Sequence, residues 1–310
     1  MRVGIIGAMD EEIALYLEAM EETNPATKAG IEYYEGVLEG REVVLCKSGV
    51  GKVNAAVCTQ ILINSFQVDQ VIFTGVAGAV HPELNIGDIV VSTDCLQHDI
   101  DVTPLGFKPG QIPFTDRWIW EADPRLVQSA VEAGRQLDEK IHVVTGRILS
   151  GDQFVADPAK VANLYQEFAA SCTEMEGAAV AQVCVMNQVP FVIVRSMSDK
   201  ADGSAHVNFA EFTKLASGRS FAIVGKMLAR LAPEVIVYST KGCIDCELVK
   251  KWLTEKGIAF EVRDVMTSRA YQEEVERFGF MGVPVTVVGE KAFKGFHPDE
   301  LEKLFVSSAK

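Results

Sequence analysis

Three places in the sequence set carboxylates against apolar runs. Glu12 follows the short run Val3-Gly4-Ile5-Ile6-Gly7. Glu174 and Glu176 flank Met175, just before the small-residue stretch Gly177-Ala178-Ala179. Asp199 closes Val194-Arg195-Ser196-Met197-Ser198. Acids so placed suit cleavage of an N-glycosidic bond. A departing purine needs a proton at N7, the attacking water must lose one, and a further acid must hold the ribose hydroxyls as the sugar becomes oxocarbenium-like. One such acid must keep its proton near neutral pH, which burial or a neighbouring carboxylate achieves. Each acid also admits a structural reading. Glu12 suits the first turn of a helix, favoured by the helix dipole, and Asp199 suits a turn cap. Arg195, inside an apolar strand, calls for Glu174 or Glu176 as its partner. A second chemistry lies near the other end, where Cys243 and Cys246 form the one CxxC pair in the chain. A thiol at a helix N-terminus, with Lys241 beside it, is favoured as thiolate at Cys243, and Cys246 is then the resolving thiol.

The elements that position these groups follow from periodicity. Residues 2–8, 71–74, 88–93, 143–149 and 191–197 read as strands, and 33–38 with 42–46 as a hairpin across Gly40. Residues 10–22, 52–66, 126–137, 161–168, 177–186 and 212–231 read as helices. Gly75-Val76-Ala77-Gly78 reads as a small-residue loop, and Pro104 to Pro113 as a Pro/Gly-rich loop. Strands alternating with helices imply a mostly parallel sheet covered on both faces. Ligands then bind beyond the carboxyl ends of the strands, which is where the acids stand. At Ala232-Pro233-Glu234 the pattern restarts, with strands at 235–238, 260–262 and 285–288 and helices at 247–255, 270–278 and 298–305. We therefore divide the chain into domains at 1–232 and 233–310.

Composition narrows the classes. Of the 310 residues 48% are apolar, enough for a sizeable core, and no stretch is low-complexity. No apolar run reaches the roughly 18 residues of a membrane span. The opening MRVGIIGAMDEE has too short an apolar run, and too many acids after it, for a signal peptide. A cytoplasmic protein without a membrane partner is expected. The formal charge of −14 argues against nucleic acid as a partner. Cys46, Cys58, Cys95, Cys172 and Cys184 stand singly and read as small buried side chains. The histidines lack metal-ligand spacing, and the CxxC has no second pair to complete a zinc site, so no metal is expected. Val3-Gly4-Ile5-Ile6-Gly7 lacks the full GxGxxG spacing of a dinucleotide site.

The strings GIIGAMDEE, KSGVGKVNAA, TGVAGA, GDIVVS, DVTPLGF, SGDQF, EMEGAAVA and VRSMSD, in this order, resemble the 5'-methylthioadenosine/S-adenosylhomocysteine nucleosidases over residues 1 to about 231. The resemblance implies a nucleoside-phosphorylase-like mixed sheet with flanking helices. It implies release of adenine from a thionucleoside by water, with no cofactor. By the same resemblance Glu12 matches the water-activating base, and Asp199 the acid that protonates adenine. Met175 and Glu176 match the ribose pair. Phe154 and Val155 match the segment that stacks on the base and binds it through the backbone, and Gly78 a backbone position near the base. Glu174, Arg195 and Ser198 stand as supporting residues around the substrate. Homodimers are implied, the neighbouring subunit closing the 5'-thio pocket with the loop that holds Leu105 and Pro113, while Phe209 lines it from the same subunit. Val76 stands where Ser is common, and Leu105 where an aromatic residue is common. The rivals are a phosphorylase of the same fold, which uses phosphate, and a redoxin whose large domain only senses nucleosides. Unless protonated, Asp10, Glu11 and Glu12 in the first loop would repel an anion, which favours water.

Residues 234 to about 306 resemble glutaredoxins, and more closely the small glutaredoxin-like redoxins. Gly282-Val283-Pro284 resembles the cis-proline loop that supports the dithiol. The centre Ile244-Asp245 departs from the Pro-Tyr usual in glutaredoxins. The resemblance implies a thioredoxin-like α/β domain that exchanges disulfides with a partner or reductase the sequence does not identify.

Overall fold

A computed structural model describes residues 2–137, 141–199, 205–231, 235–258, 260–289 and 291–306, with side chains for all of these except 205–211, 231 and 306. The chain forms two units, Met1–Leu231 and Ala232–Lys310.

In chain order the first unit holds β1 (Val3–Gly7), α1 (Asp10–Ala19), β2 (Glu21–Lys28), β3 (Ile31–Leu38), β4 (Arg41–Lys47), α2 (Lys52–Phe66), β5 (Gln70–Ala79) and β6 (Ile89–Gln97). A 3-10 turn at Thr103–Leu105 precedes β7 (Trp120–Glu121), α3 (Pro124–Arg135), β8 (Val143–Ser150), α4 (Pro158–Phe168), β9 (Ala170–Glu174), α5 (Gly177–Met186), β10 (Phe191–Asp199) and α6 (Ala205–Leu231). The strand order is β10-β6-β8-β9-β5-β1-β4-β3-β2, and β10 also pairs with β5. Five strands thus close into a ring, and β1 to β4 extend the sheet from it. Closure removes sheet edges. Helices cover both faces over two apolar clusters, one gathered around Phe73, Val90 and Ile193, the other around Ile5, Val91 and Val192. Alternate residues of one strand, such as Ile5 and Ile6, serve opposite clusters, as a period of two requires.

The sheet is mixed, as the resemblance implies, and not mostly parallel, as the alternation of strands and helices alone implies. β1–β4, β1–β5, β5–β10, β6–β8 and β8–β9 are parallel, but β6–β10, β5–β9, β2–β3 and β3–β4 are antiparallel. β5 and β9 overlap only by their last residues, Gly78 opposite Thr173 and Ala79 opposite Cys172. Two sets of carboxyl-terminal strand ends therefore meet at one place.

Several element boundaries also move. The first helix stops at Ala19, and Glu21–Lys28 is a strand that the sequence hides. It is an exposed edge strand with Pro25 in it, so no buried face imposes alternation on its sequence. Gly75-Val76-Ala77-Gly78 continues β5 rather than forming a loop, and Ser198-Asp199 completes β10 rather than following it. The five cysteines are buried and unbonded, and Cys46 and Cys58 meet across β4 and α2 with 3.2 Å between their sulfurs.

The second unit holds β11 (Val235–Ser239), α7 (Ile244–Glu255), β12 (Glu261–Asp264), α8 (Arg269–Arg277), β13 (Val285–Val288), β14 (Lys291–Lys294) and α9 (Pro298–Val306). The order is β12-β11-β13-β14, with β11–β12 parallel and the other pairs antiparallel. Val235 and Val237 face α7 and α9, and Tyr238 faces α8, so helices cover both faces of a four-stranded sheet. None of the described helices is long and apolar enough to cross a membrane.

Gly75 shows how tightly the ring is filled. A Cβ there would stand 2.6 Å from Arg195 Nη1 and closer still to Glu12 Oε1. Gly218 in α6 has open space around it. Gly75→Ala should therefore lower the unfolding free energy by about 1–3 kcal/mol through overpacking, whereas Gly218→Ala should hold or raise it by up to about 1 kcal/mol. Urea denaturation of the two variants checks the opposite signs.

Candidate active site

A cleft of about 280 Å³ lies where the strand ends meet. Its wall includes Ala8, Met9 and Glu12 after β1, Val76 to Gly78 of β5, Gln153 to Val155 after β8, Thr173 to Glu176 at the end of β9, and Ser198 and Asp199 of β10. Its charged lining consists of acids, and no Lys, Arg or His lines it among the described residues.

Glu12 is held from two sides. Its Oε2 accepts the amides of Ala8 at 2.6 Å and Met9 at 3.1 Å, and its Oε1 accepts the amide of Val76 at 2.9 Å. The same carboxylate thus satisfies amides at the start of α1, links β1 to β5 and lines the cleft. Burial raises its pKa above the ordinary glutamate value, against the pull of Arg195 and the three amides.

Glu174, the last residue of β9, is filled by internal donors. Ser150 Oγ and Arg195 Nη2 reach its two oxygens, and the amides of Glu176 and Gly177 add bonds of 3.2 and 2.8–2.9 Å. Ser150 Oγ also accepts the Ala178 amide at 2.7 Å. The pair Glu174–Arg195 thus fastens the N-terminus of α5 to β8 and β10. Arg195 is 1% exposed and its guanidinium carbon lies over the Phe73 ring, 3.9 Å from its centre. Its register partner in β5 is Gly75.

Glu176 stands at the N-cap of α5, faces the cleft, and accepts the Gly51 amide at 2.8 Å. Burial and then the neighbouring Glu174 carboxylate push it up to about 8, against Arg195 and the Gly51 amide. Asp199 is 5% exposed and sits opposite Gly78, and Ser198 Oγ donates to its Oδ2 at 2.9 Å. Phe154 is 56% exposed at the mouth, and Val155 is buried beneath it in an apolar cluster with Leu164 and Phe168. Met175 is half-buried on the wall.

Among the described residues, Leu105, Pro113 and Arg195 were singled out and do not line this cleft. Leu105 is 72% exposed and Pro113 half-buried, and neither lines it in the single chain. The side chain of Phe209 lies outside the described residues. Gln153, Val50, Met9 and the amide of Gly51 were not singled out. The glycines on either side of Val50, opening α2, are the signal in the sequence that backbone amides are presented there. Among the described residues no three His, Cys, Asp or Glu side chains gather so as to hold a metal ion.

In the second unit Cys243 and Cys246 are joined in a disulfide. Cys243 caps α7, its sulfur accepting the Cys246 amide at 3.2 Å, and is partly exposed, while Cys246 is buried. Val283-Pro284 is a cis peptide. Tyr238 pairs with Val285, so Pro284 lies at the end of the sheet from which β11 delivers Cys243.

Comparison with known proteins follows the two units. A family model described as the phosphorylase superfamily matches residues 2–229, and the glutaredoxin model matches residues 235–293. A 5'-methylthioadenosine/S-adenosylhomocysteine nucleosidase of Bacillus cereus (strain G9842) is 44% identical over 232 residues, covering 74% of this chain and all of that protein. The crystal structure of the nucleosidase of that name from Neisseria meningitidis, in complex with methylthio-immucillin-A, is 41% identical with a TM-score of 0.71, covering 74% of this chain and 99% of that one. A futalosine hydrolase mutant of Helicobacter pylori strain 26695 is 34% identical with a TM-score of 0.71, covering 74% of this chain and all of that one.

The raised carboxyl of Glu176 has a consequence for stability. Its folded pKa lies above that of an unfolded glutamate, so between about pH 4.5 and 8 the folded chain holds a proton that the unfolded chain has released. Stability must then fall as pH rises through that window, and Glu12 pulls in the same direction. Glu176→Gln has no such proton to lose. Melting temperatures from pH 5 to 8 should decline less steeply in the variant than in the wild type.

Proposed function

The chain belongs to the 5'-methylthioadenosine/S-adenosylhomocysteine nucleosidases of the phosphorylase superfamily and carries a glutaredoxin domain, and from that premise we propose that its first unit hydrolyses the N-glycosidic bond of these two thionucleosides while its second exchanges disulfides. One observation carries the reading. The cleft is lined by acids, and the guanidinium nearest to them is bound to Glu174. Phosphate would find no cation there among the described residues; water needs none.

In this reading Asp199, oriented by the Ser198 hydroxyl, delivers a proton to N7 of adenine. The bond from C1' to N9 breaks, its electron pair leaving with the base. Glu12 takes a proton from water, whose oxygen bonds to C1'. Buried and raised in pKa, Glu12 is a stronger base than an exposed glutamate. Glu176 accepts from the ribose hydroxyls and Met175 packs on the sugar. Phe154 stacks on the base, and the backbone at Val155 and Gly78 reads its edge. Glu174 and Arg195 hold the frame without touching the reacting atoms. A second copy of the chain closes the 5'-thio pocket with its own Leu105 and Pro113, which are left outside the cleft of the single chain. Phe209 is assigned to the same pocket.

In the second unit the Cys243 thiolate attacks a disulfide on a partner, giving a mixed disulfide and one released thiol. Cys246 then displaces the second partner thiol and leaves the Cys243–Cys246 bond. A dithiol reductant returns both cysteines to thiols.

Methylthioadenosine in phosphate-free buffer should yield free adenine. Asp199→Asn should lower kcat by about 100-fold or more, the range for loss of a general acid. Release only with phosphate would make the enzyme a phosphorylase. Binding without turnover, unchanged by Asp199→Asn, would make the unit a sensor. With dithiothreitol as electron source the wild type should reduce a protein disulfide faster than Cys243→Ser; equal rates would remove the redox activity.

A further inference from the structure

The base side and the ribose side of the cleft lie on different elements. Phe154 and Val155 sit in the segment 151–157 between β8 and α4, which contains no helix or strand. Glu176 stands before α5 and is held by the Gly51 amide. We propose that Lys52 and Asp99, neither of which lines the cleft, are positioning residues that tie these two sides together before substrate arrives. The substrate named below rests on the nucleosidase reading.

The link is a closed loop of bonds. Asp99 Oδ1 accepts Lys52 Nζ at 2.6 Å, and Asp99 Oδ2 accepts the Asp152 amide at 2.9 Å. Asp152 Oδ1 in turn accepts the Lys52 amide at 2.9 Å. Lys52 Nζ also lies 4.0 Å from Asp152 Oδ2. Consecutive amides at the start of α2 thus hold two carboxylates, Gly51 that of Glu176 and Lys52 that of Asp152. Both side chains of the pair are 15% exposed, so solvent screens them less than a surface pair. Burial works against the Asp99 charge, yet the Lys52 ammonium and the Asp152 amide hold its carboxyl below the ordinary range. Two glycines permit the approach. A Cβ on Gly51 would meet Asp152 Oδ1 at 3.3 Å, and one on Gly151 would meet His98 Nε2 at 2.5 Å.

One ammonium therefore separates two carboxylates. Without it, Asp99 and Asp152 repel, and the segment that carries Phe154 loses its anchor two residues upstream. Asp99→Asn keeps the shape but offers one oxygen where the carboxylate offers two. Displacing a binding wall by a fraction of an ångström weakens binding more than it alters the proton transfers made by Glu12 and Asp199.

The test uses the full chain, with Asp99→Asn, Lys52→Met and the conservative Lys52→Arg. For methylthioadenosine, KM should rise about tenfold in the first two with kcat within about threefold, and Lys52→Arg should recover most of the loss. Adenine binding by calorimetry should weaken by a similar factor. Hydrogen exchange should quicken at residues 152–155 and stay unchanged in β8. A folded Asp99→Asn or Lys52→Met with wild-type KM, adenine affinity and exchange would overturn the proposal. So would exchange that quickens throughout the first unit, which marks a general loss of structure. If the wild type released no adenine, the nucleosidase reading would fall by itself, and exchange at 152–155 would still decide the role of the pair.

Discussion

The first unit is organised around a buried guanidinium. Arg195 lies in the middle of a strand with no access to solvent, and a charge so placed must be matched by others. Glu174 matches it by direct contact, and Glu12 and Glu176 share its field. One cation thus answers three carboxylates. Burial is why Glu12 holds its proton more tightly than an exposed glutamate does, and burial followed by the Glu174 carboxylate does the same for Glu176. The same arrangement decides which nucleophile the cleft suits. A guanidinium bound to Glu174 leaves little for a phosphate, and no other cation lines the cleft among the described residues.

Topology places these groups without long loops. β5 and β10 run parallel, with Arg195 beside Gly75 and Asp199 beside Gly78. β9 meets β5 only at its tip, which brings Glu174 and the turn to Glu176 to the same spot. Gly75 has no side chain because the Glu12 carboxylate and Arg195 occupy that space. The second unit uses a related device on a smaller scale. A strand ends, a short turn follows, and a sulfur caps the next helix at the end of the sheet where a proline precedes the adjacent strand.

Much of this was legible from local pattern. Acids beside apolar runs stand out in a sequence because buried strands rarely tolerate them, and CxxC before a helical run needs no distant information. What stayed hidden depends on contacts between distant residues. Gly75 to Gly78 look like a loop because small residues are ambiguous, and only the facing side chains explain why they are small within a strand. β2 is exposed and polar, so no core imposed a period on it. Lys52, Asp99 and Asp152 are ordinary charges in the sequence, and nothing in their spacing announces that they meet. Leu105 and Pro113 were tied to a pocket by resemblance alone; the single chain leaves them outside its cleft.

In the proposed reaction a cleft of acids around a committed arginine directs water, and not phosphate, to the sugar. Turnover of methylthioadenosine in oxygen-18 water containing phosphate, with mass analysis of the sugar, tests it directly. Free methylthioribose carrying one heavy oxygen at C1, with no sugar phosphate, is the expected product. A sugar 1-phosphate, or free sugar without the label when analysed before exchange at C1, would contradict it.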